Sequence, residues 1–397
     1  MEHKKLWDKK IVRLSVCICF IYIVVFGSVL TFQWFTYGST KDITSVWGKH
    51  FDGYSMIRKE QEHARLFNDQ LTDDTLQALV RDYQQIERSG NSELLRQTDW
   101  EKVNQWLGTL YPELKDSDIY NVMISYVNPE QLTGLYERRQ AILEEFLEVN
   151  NQTGDEKDYL LEMDQRVQKP FRYEWMKGWE NLLGSISEYG MVMALSIAIA
   201  LSSLFAGEWH NNTCPLVLTM KNGWKMLGIA KIITGILFTI ELYLLVAIPS
   251  ILSQIFFMGT SGWDMPIQNI KLIAVAPLNM LQAEVYEYIF TLLGIIGFAG
   301  IVMLFSAAVK NNVLSLLLSL AVVYGPMIIA GYLPYHAQKA VDLLPLVGSS
   351  MDIFRTNTFH IFGRYVWSPY LLLIVPVVIG VLCMPMAVSK WAKRMRR

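Results

Sequence analysis

Apolar residues run almost unbroken over Val12–Trp34, Tyr189–Ala206, Met226–Phe257, Val285–Val309, Val313–Tyr332 and Tyr370–Val388. About 20 such residues in a helix cross ~30 Å of hydrocarbon, so six membrane-spanning helices are predicted. The third run is long enough to tilt or to include an interfacial turn. Lys4, Lys5, Lys9, Lys10 and Arg13 precede the first run as they would in a secretory signal. That run is too long for one, and it ends in Phe32, Trp34, Phe35 and Tyr37 without a small-residue cleavage site, so an uncleaved anchor is expected.

Between the first two runs the pattern changes. Residues 38–184 read mainly as amphipathic helix. In Asp73–Arg88, Leu76, Leu79, Val80 and Tyr83 recur at helical spacing and acids fill the first turn. Gln131–Val149 carries one stripe of Leu132, Leu135, Ile142, Leu143, Phe146 and Leu147, with turn signals at Asn128-Pro129 and Gly154-Asp155. These stripes are expected to pack on each other as a small helical domain. Trp175 and Trp179 stand one turn apart in Phe171–Gly184, which predicts a helix lying in the headgroup layer before the second span. Asn151-Gln152-Thr153 is a glycosylation sequon, relevant only in a eukaryotic secretory pathway.

Composition agrees with a membrane protein: 52% of the 397 residues are hydrophobic and 18% are charged, with a mean hydropathy of +0.24. The net charge of −2 conceals a division. Residues 41–180 hold 17 Lys+Arg against 27 Asp+Glu, a balance of −10, and the remainder holds 18 against 10, a balance of +8. An acidic soluble segment is therefore set in a basic membrane protein, its charge forming a solvated face. Its residues include none of the four cysteines, Cys17, Cys19, Cys214 and Cys383, so it must fold on its own apolar core. Cys17 and Cys19 point different ways on a helix and read as apolar filler. Placing the first residues inside puts fourteen Lys and Arg on the inner side, against Lys271, Lys339, Arg355 and Arg364 in the short outer loops. That positive-inside bias sends the acidic segment out and both termini in.

No GxxxxGK[ST], HExxH, GxSxG or CxxC occurs, so neither nucleotide hydrolysis nor metalloprotease chemistry is expected of this chain. His210 and Glu208 sit close together, but two residues do not make a zinc site. The stretch from Leu201 to Lys231 is more informative. Phe205 and Glu208 close the second run, Thr213 follows, then apolar Leu216 and Leu218, then Lys221 and Lys225, and Lys231 falls twenty-three residues after Glu208. This resembles the permease subunits of ABC transporters of the type-2 exporter class. Those chains share a Phe-x-x-Glu at the end of the second span, a Gly-Thr beyond it, a leucine-rich stretch with Pro-x-x-Arg, and a lysine opening the third span. Asn212 stands here for the glycine, and the proline and arginine are missing. One span, a large outer domain, then five spans is the shared arrangement. The resemblance implies that Trp209–Asn222 is a coupling helix on the inner membrane surface, docked into an ATPase subunit. The residues alone allow this: Leu216, Val217, Met220 and Trp224 can form an apolar face with Lys221 and Lys225 turned to water or lipid phosphate. Pro215 limits any helix to begin near it or to kink. A plain polar connector is the other reading, with Glu208 capping a helix or pairing with Lys231.

Glu241 lies ten residues past Lys231, about 15 Å along the third span at ~1.5 Å per residue. An acid there costs ~2.5 kcal/mol or more and is expected to face a bundle interior or polar pathway, unless it serves as a neutral acid bonded to a neighbouring helix. Glu284 and Glu287 share a face of the fourth span at its outer end and either line a vestibule or stand at an exposed helix start. Pro334, Leu343-Leu344 and Pro345 suggest a segment that dips into the membrane after the fifth span.

The sequence thus predicts an all-α polytopic protein: 1–36 as inner segment and first span, 37–185 as a helical outer domain, and 186–397 as five spans with a coupling loop at 207–225 and a basic tail. The function expected is the permease of an ATP-driven exporter in a bacterial plasma membrane, moving a hydrophobic or amphipathic substrate. Glu208, Trp209, Thr213, Leu216, Leu218, Lys221, Lys225 and Lys231 would couple it to the ATPase, and Glu241, Glu284 and Glu287 would lie on the translocation path. ATP and Mg would be held by the partner ATPase, with no cofactor or metal on this chain. A second permease copy or paralogue and membrane lipid are the other expected partners, and no nucleic acid. Two alternatives are an integral-membrane enzyme on lipid-linked substrate, using Glu241, Glu284, Glu287 or His336, and a membrane sensor or scaffold.

Overall fold

The computed structural model describes residues 2–24, 53–65, 70–89, 100–114, 122–210, 223–329 and 332–395. Most of them are helical, and five helices are long and apolar enough to cross a membrane. In chain order the described helices are α1 (Glu2–Trp7), α2 (Lys10–Val24), α3 (Gly53–Arg65), α4 (Asp73–Arg88), α5 (Trp100–Leu110), α6 (Leu135–Val149), α7 (Asp155–Gln165), α8 (Lys177–Leu182), α9 (Ser185–His210), α10 (Gly223–Met258), α11 (Met280–Ala308), α12 (Asn312–Ile329), α13 (Tyr335–Asp342) and α14 (Ser368–Met395). The spanning helices are α9 to α12 and α14. Of the expected first span, only α2 falls within the described residues. Val12, Val16, Cys19 and Ile23 of α2 are buried in the same apolar core as α9 and α11, and Ser196 of α9 donates to the Ser15 carbonyl.

The chain is not purely helical, as the sequence had suggested. Gln70–Leu71 (β1) pairs antiparallel with Phe171–Arg172 (β2), which closes the chain between them into a loop. Thr358–Ile361 (β3) and Arg364–Trp367 (β4) form a hairpin. Its turn residues Phe362 and Gly363 both have positive φ, 49° and 78°, the geometry that matches the right-handed twist of two paired strands.

Small residues let the spanning helices approach closely. A Cβ on Gly300 of α11 would lie 2.5 Å from the Gly380 carbonyl oxygen of α14, so backbone meets backbone there. The outward faces are apolar: Leu237, Leu244, Ile248 and Leu252 of α10 and Val313, Leu317 and Ile328 of α12 are exposed. Such a surface needs an apolar covering, which a bilayer supplies. The segment expected to dip after α12 packs among the spanning helices. Leu346, with φ of 65°, inserts between α9 and α11: its Cδ2 would stand 2.9 Å from a Cβ on Gly294 and 3.5 Å from one on Gly190. Gly294 is fourteen residues into the 29-residue α11, so the 343–349 segment reaches about halfway along that helix.

The two expected stripes meet only in part: Leu76, Leu79, Val80 and Tyr83 of α4 share a core with Leu132 and Leu135, whereas Leu143 and Leu147 of α6 are buried with Met265, Ala274 and Trp367 instead. The helix expected over Gln131–Val149 begins only at Leu135, because Gly134 takes φ of 72°; Asp73 accepts from the Gly134 and Leu135 amides and caps it from α4. Phe171–Gly184 is not an interfacial helix. Phe171 lies in β2, Tyr173 and Trp175 follow it outside any helix, Met176 is the residue before α8, and all four are 0–1% exposed. Trp175 donates to Glu60 of α3 at 2.9 Å, and only α8 is helical in that stretch. Helices α5 and α6 also grip the chain between α10 and α11. Arg139 of α6, fully buried, donates to both oxygens of Asp164 on α7 at 2.5 and 3.0 Å. It also donates to the carbonyls of Leu272 and Ala274 at 2.6 and 3.2 Å. Trp106 of α5 donates to the Asn269 carbonyl at 2.9 Å.

Candidate functional site

The last turn of α9 is a hub. Phe205, Glu208 and Trp209 each meet a different neighbour there. Phe205 stacks edge-on against Trp391 of α14, with ring centroids 5.4 Å apart. Trp209 lies under the Lys310 ammonium, 4.5 Å from its ring, at the turn joining α11 to α12. Glu208 accepts from Lys231 of α10 at 2.8 Å. Just before this turn the Ser306 hydroxyl of α11 accepts from the amides of Phe205 and Ala206 and donates to the Ser202 carbonyl at 2.7 Å. A side chain bonded into the ladder of another helix is a place where that helix can bend.

Lys231 organises the charge. It is 2% exposed, and its ammonium donates to the Glu208 carboxylate, the Glu2 carboxylate of α1 and the Leu204 carbonyl, each at 2.8 Å. Those three bonds use all its donors. Glu2 in turn accepts from Lys5 at 2.6 Å, so two acids and two lysines balance. A buried ammonium is tolerable only when so matched.

The remaining residues expected at this site divide. Lys225 lies on the first turn of α10, exposed, its ammonium 5.3 Å from the Trp224 ring. Thr213, Leu216, Leu218 and Lys221 fall in 211–222, outside the described residues, as does the side chain of His336.

Glu241 does not face the bundle interior. Its side chain is 44% exposed and accepts from His3 at 2.9 Å and from the Trp7 indole at 3.0 Å. The helix α1 thus runs along α10, from Lys231 at one end to Glu241 at the other, with Trp7 packed on Phe238 at 5.3 Å. The pattern of the sequence gave no warning of this, since the partners are more than 230 positions apart.

Glu284 and Glu287 are not an exposed helix start either. They are 3% and 0% exposed. The helix begins earlier, at a capping box formed by Asn279 and Gln282, which places both acids past its first turn and against the bundle. Glu287 accepts from the Gly184 amide at 2.5 Å through one oxygen, just before α9 begins, while its other oxygen has no partner among the described residues. It therefore caps the start of the second span. Neither oxygen of Glu284 has a partner among the described residues, and the same holds for Gln254 Nε2 on α10 and Thr291 Oγ1 on α11. Glu241 is half-exposed and bonded to α1, whereas the Glu284 and Glu287 side chains are buried, Glu287 against the start of α9. Among the described residues no group of three or more His, Cys, Asp and Glu is placed to hold a metal ion.

The chain matches no family model, no curated protein and no solved structure.

Proposed function

We propose that this chain is the membrane-spanning subunit of an ATP-driven exporter. In this reading segment 209–222 takes the push of a separate ATPase subunit, which holds ATP and Mg. The observation that carries it is the ion pair between Glu208 and Lys231. It ties the end of α9 to α10 at a point eight residues past its start, so a displacement entering through the segment moves α9 and α10 together. Phe205 and Trp209 pass the same displacement to α14 and to the α11–α12 turn. The basic end of the bundle, with Lys225, Lys310, Lys390 and Lys393, faces the cytosol of a bacterial cell, and the outer helices face away from it. A second permease copy completes the path for a hydrophobic or amphipathic substrate. Glu284, buried with both oxygens unpartnered on a spanning helix, is the residue we assign to that path, because an acid there is expensive and is kept for function.

Co-purification tests the proposal. An ATPase subunit should accompany the full-length chain and should be lost when 209–222 is replaced by a glycine-serine linker of equal length. An ATPase that stays bound to the replaced chain, or a segment that proves accessible only from the extracytoplasmic side, overturns it.

A further inference from the structure

A cavity of about 460 Å³ opens between the start of α10 and the end of α14. That is within the range of roughly 300–1,000 Å³ usual for small-ligand clefts. Its two ends differ in chemistry. Lys225 and Lys393 stand at the mouth, beside Trp224, and Ile229, Pro385 and Val388 line the part further along the helices. From Lys225 to Ile229 is about 6 Å along α10, and from Lys393 to Pro385 about 12 Å along α14, at ~1.5 Å per residue. Val388 packs on Gly228, where an added Cβ would stand 2.8 Å from its Cγ1, and this close contact forms the floor.

We infer that this groove holds an anionic phospholipid of the leaflet next to the basic end, with its phosphate between Lys225 and Lys393 and an acyl chain against Ile229, Pro385 and Val388. Both lysines are exposed and basic, and both stand at the ends of helices long and apolar enough to span a bilayer. Cation at the mouth and hydrocarbon within is the polarity of a phospholipid read from headgroup to tail. Trp224, with an apolar body and one N–H donor, suits the boundary between them. Basic pockets between spanning helices are a known physical form of lipid recognition, each lysine near the surface favouring an anionic lipid by roughly fivefold. The inference requires a membrane-embedded bundle and nothing of the exporter reading.

The full-length chain is reconstituted in nanodiscs of equal phosphatidylglycerol and phosphatidylcholine with matched acyl chains, extracted gently, and weighed with its retained lipid by native mass spectrometry. The wild type should retain phosphatidylglycerol in preference, by ~30-fold for two lysines. Lys225→Gln with Lys393→Gln should bring that ratio close to one. Ser389→Trp, which blocks the groove and leaves both lysines, should abolish retention of either lipid; it keeps the test open should the double variant fail to fold. Lys390→Gln, exposed on the same helix but outside the groove, should leave the ratio unchanged. Equal retention of the two lipids by the wild type overturns the inference. So does a loss from Lys390→Gln as large as from the groove lysines, or displacement of the lipid by inorganic phosphate alone.

Discussion

Glu208, two residues before the end of α9, and Lys231, eight residues past the start of α10, are 23 positions apart in the chain and meet at 2.8 Å. The pair is asymmetric. Lys231 also donates to Leu204 and Glu2, so the position needs a donor and not merely a charge. Glu208→Gln should be mild, about 1 kcal/mol, because Glu2 still neutralises the lysine. Lys231→Met leaves two acids facing each other and should cost about 3–5 kcal/mol. Exchanging the charges, Glu208→Lys with Lys231→Glu, should not restore stability, since the new carboxylate would face Glu2 and the Leu204 carbonyl. Thermal unfolding in detergent measures all three; recovery in the exchanged chain would refute this account of the site.

Arg139 and Asp164 fix α6 and α7 to the chain between α10 and α11. Burial alone would raise the Asp164 carboxyl, but its bonds to Arg139 and Lys169 outweigh that and hold it below its ordinary value. A folded-state value below the unfolded one contributes stability at neutral pH and above the unfolded value, and loses it as pH falls through the folded value. Helices α6 and α7 should therefore loosen from the 265–276 segment only in strong acid, below about pH 4. Arg139→Met should loosen them at pH 7, at a cost of about 3–5 kcal/mol. Hydrogen exchange of residues 265–276 reports both, and protection there that is unchanged in Arg139→Met would show that the clamp does not operate.

Leu346 fills the space that Gly294 leaves. Leu346→Ala should destabilise by about 2–5 kcal/mol through the cavity it opens. Gly294→Ala places a Cβ 2.9 Å from the leucine Cδ2 and should also destabilise. The two changes together should cost less than their sum, because the new methyl enters the space the leucine vacates. Strict additivity in thermal melts would mean that the 343–349 segment does not sit where it is described.

Much of this architecture can be read in the sequence where the signal is local. Asp73–Arg88 forms over the predicted residues, with Thr72 capping it and the apolar stripe buried. The spanning runs are legible because hydrocarbon tolerates little else. Phe171, Tyr173 and Trp175 also carried their signal, an alternation of period two that marks extended chain, but the helical spacing of Trp175 and Trp179 masked it. Glu2 and Glu241 are different. What they touch lies 229 and 238 positions away, and no window of sequence contains such a contact. For Glu284 and Glu287 the apolar run marks the hydrocarbon and not the helix start: the capping box at Asn279 begins α11 ahead of the run, so both acids lie past the first turn and are buried.

Glu284 offers a test in which stability and function should part. Glu287 caps α9, so Glu287→Gln should weaken the fold, by about 1 kcal/mol or more. Glu284 makes no such bond with any described residue while 3% exposed. A buried carboxylate without partners is a cost to the fold, and Glu284→Gln, of nearly the same shape, should leave the melting temperature unchanged or raise it. If the residue serves the path, transport should fall in that same variant, measured in vesicles with the partner ATPase present. A fall in melting temperature would show that Glu284 has a structural partner instead. Full transport with raised stability would remove it from the path.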